Sequence, residues 1–207
     1  MIYISVLEIW FLESRISFNI NDEQWERYFK FFADEECFFM FPTLLRPKSR
    51  GWIRLKSANP YENPIINPRY YSHPDDLESM AEAMMFTLFL GQSEPFQRRY
   101  STNLSSLAVP GCEHHQLYSG AYMKCWAQTL TGTVYHPVGT CKMGPVNSRM
   151  TVVDPQLRVK GVRRLRVVDA SIMPSIVSGN TNAATVMIAE KAADLLIGRK
   201  LKPMSAF

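Results

Sequence analysis

From Pro74 to about Gly91, apolar residues recur at Leu77, Met80, Ala81, Met84 and Leu88, the i, i+3, i+4 rhythm of a helix with one buried face. Asp75 stands where it can cap that helix. The same period predicts an acid-capped helix over Asp22–Phe32, with Trp25, Tyr28, Phe29 and Phe32 on one side, and a helix from Ser119 to Leu130. A last helix is predicted from Asn182 to Ile197, its buried face made of Val186, Ala189, Ala193 and Leu196, with Gly198 in the stop position. Elsewhere the signal is that of strands. Phe38–Leu45 is an aromatic and aliphatic run, and Gly51–Ser57 sets Ile53 and Leu55 against Arg54 and Lys56, the alternation of a half-buried strand. Leu157–Lys160 and Arg164–Val168 read as two short strands separated by Gly161, and Asn59-Pro60, Asn63-Pro64 and Asn67-Pro68 mark turns.

Up to about residue 131 these elements follow one another without a βαβ rhythm, which predicts an α+β arrangement, an antiparallel sheet with flanking helices. Near Gly132 the character changes. A strand ending in Asp169, then a small-residue loop, then a helix make a fragment of α/β architecture. The predicted organisation is an unassigned segment at 1–34, one domain portion at 35–131 and another at 132–207. A chain of 207 residues can bury one good core, or one domain and part of a second.

Composition narrows the function classes. The net charge of +4 is spread along the chain, and Lys160, Arg163, Arg164 and Arg166 read as a solvated strand face, so no nucleic-acid partner is expected. Met1–Phe18 is apolar but carries Glu8, Glu13 and Arg15, and it matches neither a signal peptide nor a membrane span. The four cysteines show no CxxC spacing. Cys112 and Cys125 flank a loop and read either as a disulfide of an exported protein or as buried thiols. His114 and His115 stand beside Cys112 and Glu113, but side chains so nearly contiguous in a loop rarely converge on one ion, and no metal site is expected.

The candidate chemistry lies in the last third. His136 follows the β-prone run Thr133-Val134-Tyr135 and precedes Pro137, so it sits where a strand would leave a sheet. Imidazole is the natural acceptor of a hydroxyl proton near neutrality, although a histidine alone serves structure as readily. Asp169 at a strand end suits a ribose or polar cofactor edge, or caps a turn. Asn180, Thr181 and Asn182 either cap the last helix or use its free N–H groups and positive end to face an electron-rich ring or an anion, with Gly179 allowing close approach. No G-x-S-x-G, HExxH, P-loop or G-x-G-x-x-G occurs among the 207 residues.

Together, His136-Pro137-Val138-Gly139-Thr140-Cys141-Lys142-Met143-Gly144, Val153-Asp154-Pro155, Leu165 to Pro174 (LRVVDASIMP) and Gly179-Asn180-Thr181-Asn182-Ala183 resemble the C-terminal part of glucose–methanol–choline (GMC) flavin oxidoreductases. Leu44 to Gly51 and Ser57-Ala58-Asn59-Pro60 resemble the glucose dehydrogenase (FAD, quinone) branch, and the likeness runs from about Phe38 to Ile197. The resemblance implies a substrate-binding portion over 35–131 and the closing part of an FAD-binding domain over 132–207. It implies oxidation of a small-molecule alcohol, including a sugar, with quinone or oxygen as electron acceptor. His136 matches the catalytic base that takes the alcohol proton as hydride passes to flavin N5, and Asn180 the residue that orients the substrate oxygen. Asp169 and Ala170 match the segment along the FAD phosphates and ribityl chain, and Thr181 and Asn182 lie beside the flavin. Two departures stand out: alanine at 184, where that branch has proline, and the absence of the glycine-rich cradle that grips the pyrophosphate. The expectation is therefore that catalysis requires an N-terminal FAD-binding half and that the 207-residue chain alone binds FAD weakly. The alternative is an inactive truncated relative or gene-model fragment, at most a binding or structural module.

Overall fold

A computed structural model describes residues 2–7, 15, 20–32 and 37–199. The chain divides into two units, Met1–Gly51 with Ile66–Val134, and Trp52–Ile65 with Tyr135–Phe207. The apolar start, Met1–Phe18, lies largely outside the described residues.

In the first unit β1 (Ile2–Leu7) pairs antiparallel with β2 (Phe39–Leu44), Ile2 opposite Leu44 and Leu7 opposite Phe39. The expected strand is thus present. Pro42 donates nothing to a ladder, which is tolerable in a ribbon with open edges. Helix α1 (Asp22–Arg27) is shorter than its periodicity predicts and is capped by Asn21 rather than by an acid. Asn21 Oδ1 accepts from Gln24 N–H at 2.8 Å, and Gln24 Oε1 accepts from Asn21 N–H at 3.2 Å, a reciprocal capping box. A 3-10 turn then covers Phe29–Phe32 and sets the Tyr28 ring edge-on to Phe29 and Phe32 at 5.2 and 5.3 Å. Aromatic packing outweighs the modest helix propensity of these residues.

Helix α2 occupies Pro74–Gly91 as its pattern predicts. Its cap is His73, whose Nδ1 accepts from Asp75 N–H at 3.3 Å, because Pro74 at the first helical position sets the start one residue early. Asp75 instead pairs with the Lys48 ammonium, while Asp76 is buried. The two oxygens of Asp76 accept from Lys48 N–H at 2.8 Å and Ser49 N–H at 2.7 Å. Burial pushes the Asp76 pKa up, but these donors prevail and hold it below the ordinary carboxylate value. Leu77, Met80, Met84 and Leu88 are half-buried and Ala81 fully so, as expected. A short α3 (Glu94–Tyr100) has only Ser93-Glu94-Pro95 as its start signal.

Helix α4 (Gly120–Thr129) starts where expected, with Ser119 Oγ accepting from Tyr122 N–H at 3.2 Å. It packs on α2 around a core of Tyr28, Ala81, Val109, Cys112, Tyr122 and Met123. The buried Tyr122 hydroxyl accepts from Val109 N–H at 3.0 Å, so no polar atom is stranded there. Of the two readings of the cysteines the disulfide holds: Cys112 and Cys125 are bonded, their Cα atoms 5.8 Å apart. Cys37 and Cys141 stand outside this disulfide and are half-buried.

Strand β3 (Trp52–Arg54) pairs with β4 (Ile65–Asn67) in a two-stranded ribbon. A Cβ on Gly51 would stand 2.4 Å from the Asn67 carbonyl oxygen and 2.6 Å from Pro68 Cα, so only glycine allows that approach. The expected half-buried face is not formed: Ile53 is 49% exposed and Leu55 84%. A ribbon this narrow offers no second layer to cover either residue. Turns at Asn59 and Asn67 are as predicted, each side chain accepting the N–H two residues on, from Tyr61 and Arg69.

The second unit has little regular structure before its long helix. The strands expected at Leu157–Lys160 and Arg164–Val168 are reduced to isolated bridges, Val153 with Val159 and Arg158 with Arg166. Arg164 and Leu157 both have positive φ, 59° and 65°, and such kinks interrupt a continuous ladder. The buried Asp154 organises the turn, accepting from Gln156 N–H at 2.9 Å, Arg158 N–H at 3.0 Å and Arg158 Nε at 2.8 Å. Burial raises its pKa, yet these donors keep it below the ordinary value. Lys160, read as part of a solvated face, is engaged: Nζ donates to the Pro145 and Ser148 carbonyls at 2.7 and 2.9 Å and to Thr151 Oγ1. Helix α5 spans Thr181–Ile197 and ends at Gly198 with φ 72°, the left-handed stop expected there. Its buried face is not the predicted one. Ile188 and Ala192 are buried, with Ala184 and Leu195 packed beside them, while Val186 and Leu196 are 53% and 64% exposed. The helix carries apolar residues on more than one side, so periodicity alone does not choose the face.

Candidate active site

The segment after α4 sets up the candidate histidine from its backbone. Tyr135 adopts a left-handed conformation, φ 59°, costly for a residue with a side chain and tolerated where the surroundings over-determine it. Pro137 restricts His136 from the other side. Gly139, at φ 87°, passes close to the 3-10 turn described below: a Cβ there would lie 3.2 Å from the Met173 carbonyl oxygen. Cys141 N–H then donates to the Ser171 carbonyl at 2.9 Å, and Met143 N–H to that of Ile172 at 2.8 Å. The histidine segment is thus stitched to Ser171–Met173.

That second stretch is a 3-10 turn, Ala170–Ile172, capped by Asp169. Asp169 Oδ1 accepts from Ser171 N–H at 2.8 Å and from the Ser171 hydroxyl. Asp169 therefore closes a turn, and no strand leads into it. Both bonds use Oδ1, so Oδ2 carries neither. Asp169 is exposed; Ala170 is half-buried and packs against the core of Val153, Leu157, Ile172, Met173, Ile188 and Ala192.

From this turn the chain runs through Gly179 into α5. His136 Nδ1 lies 3.2 Å from Thr181 Oγ1, both residues half-buried, which brings the histidine to the N-terminus of the helix. Asn180 is the N-cap residue, with φ −60° and ψ 138°, but its side chain makes no capping hydrogen bond. The default use of asparagine there is thus not taken up. Asn182 is exposed in the first turn. Among the described residues, His136 and Thr181 meet directly, Asp169 and Ala170 join them through the stitched turn, and no hydrogen bond links Asn182 to His136. The meeting of His136 with Thr181 has no signal in their spacing, and the left-handed Tyr135 has none in its residue type.

The remaining histidines lie in the first unit. His73 caps α2, and the rings of His114 and His115 are 4.0 Å apart. Among the described residues no three His, Cys, Asp or Glu side chains converge on a possible metal position, and no helix is long and apolar enough to cross a membrane.

This donor set fits one side of a flavin site. It combines an imidazole, an unspent amide at the head of a helix of 17 residues, and a carboxylate with one oxygen clear of its own turn. A Cβ added at Gly179 would meet nothing within 4 Å, so the helix entry is open. Residues 47–189 match the family described as GMC oxidoreductase. The chain belongs to the GMC oxidoreductase family. It is 46% identical over 157 residues to glucose dehydrogenase [FAD, quinone] of Drosophila melanogaster, covering 76% of this chain and 25% of that protein. It is 43% identical over 167 residues to mitochondrial choline dehydrogenase of Homo sapiens, covering 81% and 27%. Pyridoxine 4-oxidase from Mesorbium loti superposes with a TM-score of 0.67 at 29% identity, over 79% of this chain and 30% of that one. GMC oxidoreductases are FAD-dependent and act on CH–OH donors. This GMC chain spans about a quarter of the length of the curated relatives it matches.

Proposed function

We propose that this chain supplies the proton-accepting side of an FAD-dependent oxidation of an alcohol, with residues 35–131 as part of the substrate-binding domain and 132–207 as the closing part of the FAD-binding domain. FAD, when bound, supplies the hydride acceptor. His136 accepts the hydroxyl proton of the substrate through Nε2, the ring nitrogen not engaged with Thr181. Asn180, its side chain unspent on the cap, holds the substrate oxygen by hydrogen bonding and aims the alcohol at the imidazole. Asp169, with Oδ2 outside its turn, Ala170 and Asn182 would help to hold the cofactor, and the first N–H groups of α5 would offer it hydrogen-bond donors. The substrate is a small alcohol, sugars included, and the proposed electron acceptor is a quinone or oxygen.

The observation that carries this reading is the bond between His136 and Thr181, which joins the imidazole to the helix entry that bears Asn180. In the FAD-loaded enzyme containing this segment, His136→Ala should lower turnover by about a hundredfold or more while flavin content stays unchanged; unaltered turnover removes His136 from the base role. These 207 residues hold no G-x-G-x-x-G, so a flavin-absorbance titration of the chain alone should show only weak binding. Tight stoichiometric uptake would mean that other residues grip the pyrophosphate.

A further inference from the structure

Thr181 does more in this geometry than lie beside a cofactor. A neutral imidazole has one basic nitrogen, and what the other nitrogen meets decides which it is. For Nε2 of His136 to receive a proton, Nδ1 must carry its hydrogen and needs an acceptor. Thr181 Oγ1, 3.2 Å away, offers one. A hydroxyl accepts from Nδ1–H whether the ring is neutral or protonated, so the bond survives the arrival of the substrate proton.

The hydroxyl is well held. Threonine is stiff about χ1, and Thr181 is the first residue of α5, with its carbonyl accepting from Thr185 Oγ1 at 2.8 Å. The imidazole is held from its own side by the left-handed Tyr135, φ 59°, and by Pro137. Both partners are thus carried by ordered backbone, and a flip of the ring would give up the contact between Nδ1 and Thr181 Oγ1.

We infer that Thr181 is a positioning residue: its hydroxyl accepts the Nδ1–H of His136 and holds the imidazole in the tautomer that leaves Nε2 basic. The effect on turnover rests on His136 being the proton acceptor, whereas the tautomer does not.

The test is long-range proton–nitrogen correlation NMR of the 15N-histidine-labelled 207-residue chain, with the His136 signals assigned by their loss in His136→Gln. At a pH where the ring is neutral, the unmodified chain should show the Nδ1–H form. Thr181→Val, which keeps the shape and removes the acceptor, should shift the population to the Nε2–H form, and Thr181→Ser should restore it. In the FAD-loaded enzyme, Thr181→Val should lower kcat about tenfold with little change in KM, and Thr181→Ser should recover most of it. An Nε2–H ring in the unmodified chain overturns the inference without any variant, and so does an unchanged tautomer in Thr181→Val. A tautomer shift together with full activity of His136→Ala keeps the positioning bond and removes the base role, so the two failures are distinct.

Discussion

In the first unit, α2, α4 and the 3-10 turn after Tyr28 close on a core of Tyr28, Val109, Tyr122 and Met123, and a disulfide ties the loop at Cys112 to α4. In the second, turns and isolated bridges are stitched by backbone hydrogen bonds until α5 begins, and there lie His136, Asp169, Ala170, Asn180, Thr181 and Asn182. Helices give a core its volume, but their side chains point where the helical repeat sends them. Irregular backbone aims a side chain where a reaction needs it, provided each N–H and carbonyl finds a partner. The second unit meets that condition through pairs such as Cys141 with Ser171 and Met143 with Ile172.

Three measurements press on this contrast. The largest effect belongs to the second unit: in the FAD-loaded enzyme His136→Ala should lower turnover by about a hundredfold or more yet leave urea unfolding within about 0.5 kcal/mol of the parent, as expected of a proposed proton acceptor outside the core. The next belongs to the first unit. The disulfide joins residues 13 apart, so replacing both Cys112 and Cys125 by alanine should cost about 3 kcal/mol in urea unfolding and leave the His136 tautomer unmoved. A tautomer that changed with it would break the division of labour. The smallest is Asp76→Asn, expected to cost about 2 kcal/mol at pH 7 because the Lys48 and Ser49 amides lose a charged acceptor. The Asp76 pKa is depressed in the folded chain, so its contribution is complete above the unfolded value near ~3.9 and is lost as pH falls through the lower folded value. The difference between parent and variant should therefore shrink below about pH 4.

The sequence was legible where one residue decides the outcome. Pro74 and Gly198 bound α2 and α5, and Ser119 starts α4, because ring geometry, left-handed backbone and a side-chain cap each act within a turn. It was illegible where distant partners decide. The face α5 buries depends on Val153 and Leu157, which no helical pattern contains. The strands expected around Gly161 failed because positive φ at Leu157 and Arg164 broke the ladders. For the site, family motifs supplied the residues and their order, while the contact between His136 and Thr181 came only with the fold.

The stitched segment also has a meaning for recombination. His136 is joined to Thr181, and between them Cys141 and Met143 are joined to Ser171 and Ile172, so the frame closes on itself within one continuous stretch of chain. An exchange of sequence with a relative that cuts outside this stretch passes the frame on whole. One that cuts between Met143 and Ser171 must match backbone partners from two parents. The stretch from His136 to Thr181 is therefore the natural cassette for chimaeras within the family, to be swapped as one piece.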